Sequence, residues 1–81
     1  MALVTDAIQQ IGLRPIAEKH GFRVSAIHKW KKQGHLPRTE LAGLTQYARS
    51  IEELSGGKWR ASDLIAETRR AWMRKAGAAA L

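Results

Sequence analysis

Apolar residues recur at intervals of three and four along most of the chain, a spacing that places them on one face of an α-helix. The first run covers residues 3–11, and Gly12 follows it at the place where a helix commonly ends in a left-handed residue. A second run of barely two turns covers about 15–20, and a third covers about 25–33 and stops at Gly34. The pattern predicts three short helices in the first half of the chain.

The longest apolar stripe lies in the second half of the chain and does not alternate as a strand would. It consists of Leu41, Leu44, Ala48, Ile51 and Leu54, and an SGG segment follows it. This stripe predicts a fourth, long helix. A fifth helix is expected to begin with Ser62 as its cap, and it carries Leu64, Ile65, Thr68 and Trp72. Five helices with short joints predict an all-α fold: a compact bundle in one domain over residues 1–75, followed by a frayed tail over residues 76–81.

The chain is basic, with 14 Lys and Arg against 7 Asp and Glu and a net charge of +7 over 81 residues. Such a balance favours polyanionic partners, nucleic acid first and an anionic membrane surface second. Six of the cations, and no acid, lie between Lys19 and Thr39. The positive charge is therefore concentrated around the predicted second and third helices.

Several other classes of chemistry are disfavoured. The chain has no cysteine, which removes disulfides and cysteine-rich zinc sites, and its three histidines have no acid between them to complete a metal site. Ser25 and His28 lack an acidic orienter, so we expect no enzyme and no cofactor. The N-terminal segment contains Asp6 and no long apolar core, so neither a signal peptide nor a membrane span is expected. We expect a cytoplasmic protein.

The third predicted helix has two different faces. At 100° per residue, its polar residues fall within about 60° of Ser25, and Ile27 and Trp30 fall nearly opposite. The polar strip consists of Ser25, His28, Lys29 and Lys32. A helix with such a strip fits the major groove of double-stranded DNA, where side chains can contact base edges. Ile27 and Trp30 are expected in the core.

The joint between the second and third helices carries a further pattern. Ala17 is small where two helices would cross closely, and Gly21 follows four residues later where a tight turn needs positive φ. With Ile27 and Trp30, these residues form the spacing of a helix-turn-helix. Residues 13–32, LRPIAEKHGFRVSAIHKWKK, resemble the motif of lambda-repressor-like proteins, especially small phage Cro-type repressors and YdaS-like prophage regulators. The resemblance extends over roughly residues 3–66.

The resemblance implies that the helix over 25–33 is the recognition helix, and it assigns roles to individual residues. Matching by position gives the base-reading residues as Val24, Ser25, His28 and Lys29. The residues expected to hold phosphates are Arg14, Arg23, Lys31, Lys32 and Arg38. The chain departs from the family pattern at Leu13, where Gln is common, and at Arg23, where a capping Ser or Thr is common. Ser25 is expected to take over some of the capping.

These observations predict a sequence-specific, double-stranded-DNA-binding transcriptional regulator, a Cro-like repressor of phage or prophage type. It would bind a partly palindromic operator as a homodimer and would associate with the nucleoid through DNA. The alternative is an antitoxin-like or adaptor protein-interaction module with nonspecific DNA affinity, whose basic face binds an acidic partner protein of unknown identity. RNA binding is disfavoured, because one Tyr and one Phe leave few stacking platforms.

Two features of the C-terminal part allow alternative interpretations. A small bundle has limited interior volume for large apolar side chains, and three of them lie in this part of the chain: Trp59, Trp72 and Met73. They are expected either in a dimer interface or in the core. The fifth helix also carries Arg69, Arg70, Arg74 and Lys75. These cations either compensate the helix dipole in solvent or form a phosphate clamp.

Overall fold

The structure is a computed structural model that describes residues 2–80 and, among them, the side chains of residues 2–76. Its helices are α1 (Leu3–Ile11), α2 (Leu13–His20), α3 (Val24–Gln33), α4 (Tyr47–Leu54) and α5 (Ala61–Ala80), with a 3-10 turn at Arg38–Glu40. The described residues contain no strand. The predicted all-α fold is confirmed. No helix in the described part combines the length and apolar character needed to span a bilayer.

One hydrophobic core lies between the helices. α3 packs against both α1 and α2, and α5 closes over α1 and α4. The buried core residues are Val4, Ala7, Ile8, Ile16, Ala17, Ile27, Trp30, Leu36, Ala48, Ile51 and Leu64. In α1, α3 and α4 they recur at intervals of three or four residues, which is the periodicity that predicted helices there. Burial of these side chains is the main stabilising contribution to the bundle.

The N-terminus of α1 is capped by a residue from the far end of the chain. The first amides of a helix have no acceptor within it, and Ala2 supplies no side-chain cap. The Glu67 carboxylate of α5 instead accepts the N–H groups of Leu3 and Val4 at 2.6 and 2.9 Å. A negative charge at this position also suits the helix dipole. These bonds fix α1 against α5.

The predicted long helix over Leu41–Leu54 is wrong, because α4 begins only at Tyr47. The buried Glu40 carboxylate in the 3-10 turn accepts the N–H groups of Tyr47 and Ala48, both at 2.9 Å. It therefore caps α4 from outside the helix and requires the chain to turn before it. The Thr45 hydroxyl also donates to Glu40.

The segment before α4 contains a sequence signal against a continuous helix. Gly43 has φ 75°, a left-handed conformation that interrupts helical geometry. Leu44 lies beside it and is 77% exposed, so it is not part of the buried stripe. The helical spacing of Leu41 and Leu44 relative to Ala48 is therefore coincidental. Only Ala48 and Ile51 of the predicted stripe are fully buried.

Other helix boundaries differ by a few residues. Gly12 has φ 99° and ψ 153°, a positive-φ conformation outside the left-handed helical region, and α2 starts directly after it at Leu13. α5 starts at Ala61, which places Ser62 inside the first turn rather than at the cap. α5 continues to Ala80 and so includes most of the expected tail over 76–81; residue 81 and the side chains of 77–80 lie outside the described residues.

Candidate nucleic-acid interface

A tight turn joins α2 to α3. Gly21 adopts the left-handed conformation, φ 68° and ψ 26°, and its N–H is directed at the carbonyls of Ala17 and Glu18. The Phe22 N–H also bonds to the Ala17 carbonyl, at 2.9 Å. This pattern is the capping arrangement in which glycine ends one helix and redirects the chain into the next. The structure buries Ala17, Ile27 and Trp30 beneath the turn.

The opposite face of α3 is open to solvent. Ser25, His28, Lys29 and Lys32 are all exposed, and Val24 at the start of the helix is 42% exposed. Arg23 is the N-cap residue but makes no side-chain cap bond, and no cap bond from Ser25 replaces it. The predicted base-reading residues thus share one accessible face, although the expected capping by Ser25 is not found.

The predicted phosphate-binding residues are not all brought to this face. Arg14, Arg23, Lys32 and Arg38 are exposed, and Arg38 lies with Lys29, Gln33 and Pro37 around one depression beside α3. Lys31 is half-buried, and it lies about 120° around the helix from Ser25. Its backbone carbonyl accepts the Thr5 hydroxyl of α1 at 2.7 Å. Lys31 is therefore on the α1 side of α3 rather than in the polar strip.

No acid neutralises the strip. Both ion pairs among the residues with described side chains involve Glu53 of α4, which lies 2.8 Å from Lys19 and 3.9 Å from Arg49. The hydrogen bond from Lys19, and then its charge, lower the pKa of the Glu53 carboxyl. The cations of α3 have no such partner, so their field extends into solvent.

An aromatic cluster supports α3 from behind. The Trp30 ring lies 4.7 Å from that of Tyr47, and Phe22 packs edge-on against both. His20 packs edge-on against Tyr47 at 4.9 Å. Burial, and next the negative charge of Glu40, raise the pKa of the Tyr47 hydroxyl above its ordinary value. Of this cluster only Trp30 could be predicted from the sequence, because single aromatic residues outside a periodic run give no signal.

The segment after α3 is buried under α5. Leu36 is fully buried, and its N–H bonds to the Thr68 hydroxyl at 3.1 Å. Its carbonyl accepts the indole N–H of Trp72 at 3.0 Å. His35 is also buried and packs edge-on against Trp72. An isolated leucine beside a proline carries no helical pattern, so this burial could not be predicted from the sequence.

The three candidates for a dimer interface have different surroundings. Trp59 packs partly against the core, with the Lys58 ammonium over its ring, and Trp72 is held by Leu36. Met73 is 65% exposed. Both tryptophans therefore have intramolecular contacts, and Met73 is the candidate with the most surface available to a partner.

Two helices joined by a left-handed glycine, the second presenting a cationic face free of acids, define a helix-turn-helix DNA-binding domain. The chain is 39% identical over 59 residues to the 8.4 kDa Cro protein of Escherichia phage HK022, across 73% of this chain and 78% of that one. It belongs to the family of phage Cro proteins, DNA-binding transcriptional regulators. No protein-family model and no solved structure matches it.

Proposed function

We propose that this protein is a Cro-like repressor that recognises a specific double-stranded DNA operator by placing α3 in the major groove. The observation that carries the proposal is the division of α3 into two faces. Ile27 and Trp30 anchor one face in the core, and the polar strip of the other face is exposed. The major groove is about 12 Å wide and admits one helix presented in this way.

Individual contacts follow from the chemistry of the exposed residues. The Lys29 ammonium can donate to guanine O6 and N7, and Val24 can pack against a thymine methyl group. Ser25 and His28 offer donors and acceptors to several base edges. The cations expected to contact phosphates around the groove are Arg14, Arg23, Lys32 and Arg38. Lys31 would reach a phosphate only beside the α1 edge of α3.

We further propose that the protein binds as a homodimer. Two recognition helices about 34 Å apart would enter successive major grooves and read the halves of a partly palindromic operator. One copy contributes a single ten-residue recognition helix, which contacts few base pairs. Repression would follow from occupying DNA that the polymerase needs.

The test is selection of bound duplexes from a random double-stranded library at about 150 mM salt, where surface electrostatics are screened. Three proteins are compared: the wild type, Lys29→Ala and Lys58→Ala. Lys58 is a matched control because it is an exposed lysine between α4 and α5, bonded to Gln10 at 2.8 Å. Losing a good base contact costs about 1–3 kcal/mol at one operator position.

We expect a two-fold symmetric site for the wild type, a preference relaxed at one position per half-site for Lys29→Ala, and an unchanged site for Lys58→Ala. An enriched site that Lys29→Ala leaves unchanged would contradict reading by α3. Binding without any enriched sequence would contradict the proposal of a specific operator. That outcome would favour the partner-protein alternative.

A further inference from the structure

The cations of α5 lie too far from the end of the helix to serve its dipole. Dipole stabilisation falls off within the last turn of a helix. α5 continues to Ala80, and its last turn contains no basic residue. Lys75 is therefore more than one turn from the helix end, and no acid follows Glu67 in the chain. The dipole of α5 therefore does not account for this positive charge.

Lys75 lies on a groove that reaches the recognition helix. One depression is lined by Lys29 and Gln33 of α3 together with Arg38 and Trp72. A second is lined by Arg38, Trp72, Met73 and Lys75. Because Arg38 and Trp72 line both depressions, the two lie side by side, and together we call them the α3–α5 groove. Three cations, Lys29, Arg38 and Lys75, line it in succession.

The groove is held in a fixed position relative to α3. Trp72 lines both depressions, and its indole N–H is bonded to the carbonyl of Leu36, three residues after the end of α3. Thr68, one turn earlier on α5, accepts the Leu36 N–H. α5 therefore cannot shift along the segment after α3 without breaking both bonds, and a partner bound to α3 meets Lys75 at a constant offset.

The charge of Lys75 is oriented and not neutralised. Its ammonium lies 4.8 Å from the centroid of the Trp72 ring, which places it over the groove through a cation–π contact. No ion pair among the described side chains involves Lys29, Arg38 or Lys75. A row of unpaired cations leading away from a recognition helix suits an extended polyanion such as a DNA backbone better than it suits a compact anion.

We propose that Lys75, together with Arg38, binds backbone phosphates beside the major groove that α3 occupies, so that α5 extends the DNA-binding surface. This inference rests on the proposed function, because it places the DNA by means of α3. Phosphate contacts fix register and add affinity without reading sequence. Lys75 is thus assigned to affinity, whereas Lys29 is assigned to specificity.

The experiment measures the affinity of the full chain for the selected operator and for an unrelated duplex at salt concentrations between about 50 and 200 mM. Lys75→Gln is compared with Lys75→Arg, which keeps the charge, and with Arg70→Gln. Arg70 is an exposed cation of the same helix, about 140° around its axis from Lys75, so it controls for loss of net charge. Thermal unfolding followed by circular dichroism verifies that each variant is folded.

We expect Lys75→Gln to weaken both duplexes by the same factor and to reduce the slope of log affinity against log salt by about 0.9. When the salt concentration rises from about 50 to about 200 mM, the affinity of Lys75→Gln would then fall by a factor about 3.5 times smaller than that of the wild type. Lys75→Arg should retain the slope, and Arg70→Gln should leave it unchanged. Equal slopes for Lys75→Gln and the wild type, or equal effects of Lys75→Gln and Arg70→Gln, would overturn the inference.

Failure of this inference is distinguishable from failure of the proposed function. If Lys75→Gln leaves the slope unchanged while Lys29→Ala still relaxes one operator position, α3 reads DNA and α5 does not contact it. If no operator is enriched, the slope on the unrelated duplex still tests Lys75 directly.

Discussion

Replacing Glu40 tests whether one buried carboxylate sets the start of α4. In Glu40→Ala, the N–H groups of Tyr47 and Ala48 lose their acceptor, and Ala48 is fully buried. Two hydrogen bonds to a charged acceptor are worth about 3–6 kcal/mol together. Removing a buried carboxylate that has no cation partner offsets part of this loss. We therefore expect the free energy of unfolding to fall by about 2–3 kcal/mol, slightly above an ordinary helix cap.

That change is large for a chain of this size. At about 0.05–0.15 kcal/mol per residue, the total stability would be about 4–12 kcal/mol. The melting temperature of so small a domain falls by about 4–8 °C per kcal/mol, so a decrease of about 8–24 °C is expected. Urea denaturation followed by circular dichroism measures the free energy directly, and the same signal gives the melting temperature.

Two further variants sharpen the test. Glu40→Gln keeps the shape but offers one acceptor oxygen, so its loss should lie between the wild type and Glu40→Ala. Glu53→Gln removes an exposed carboxylate of α4 that pairs with Lys19, and its effect should be much smaller. The reasoning is refuted if Glu40→Ala costs less than about 0.5 kcal/mol, or no more than Glu53→Gln does.

Three other predictions follow from the fold. Tyr47 is the one tyrosine of the chain, so an ultraviolet titration should show its midpoint above about 10, with a lower midpoint in Glu40→Gln. Because the pKa of the Tyr47 hydroxyl is raised in the folded protein, the contribution of the neutral hydroxyl to stability is complete below pH about 10 and is lost as the pH rises through the folded pKa. A titration midpoint at or below about 10 would be inconsistent with burial of this hydroxyl. In urea denaturation, Gly21→Ala should lower the free energy of unfolding by about 1–2 kcal/mol. Gly12→Ala should lower it by more, since the φ 99° and ψ 153° of Gly12 are accessible essentially to glycine alone. A larger loss for Gly21→Ala than for Gly12→Ala would count against these conformations. If Met73 lies in a dimer interface, Met73→Asp should sediment as a monomer at concentrations where the wild type is a dimer, and a persistent dimer would remove Met73 from that interface.

Periodicity predicted the helices whose burial is continuous along one face. The apolar runs through Ile8, Ile27 and Leu64 are all helical in the structure. Gly21, between α2 and α3, adopts the positive φ that was predicted for the turn. The α3 strip could also be derived, because its faces depend only on helical geometry and on which residues are apolar. These features are local, so the sequence displays them directly.

The features that were missed depend on contacts between distant residues. Glu40 caps α4 across the turn, and Thr68 with Trp72 secures Leu36 from 32 and 36 residues away. Hydrogen bonds of this kind leave no periodic trace. Gly43 was the local signal that should have divided the stripe from Leu41 to Leu54.

The Glu67 cap on α1 has a consequence for when the first helix can be completed during synthesis. The first helix receives acceptors for its leading amides from a residue 63 and 64 positions later. Until Glu67 has been synthesised, the leading amides of α1 therefore lack these acceptors. The bundle therefore closes late, and a chain that stops before Glu67 would lack the bonds that join its beginning to its end.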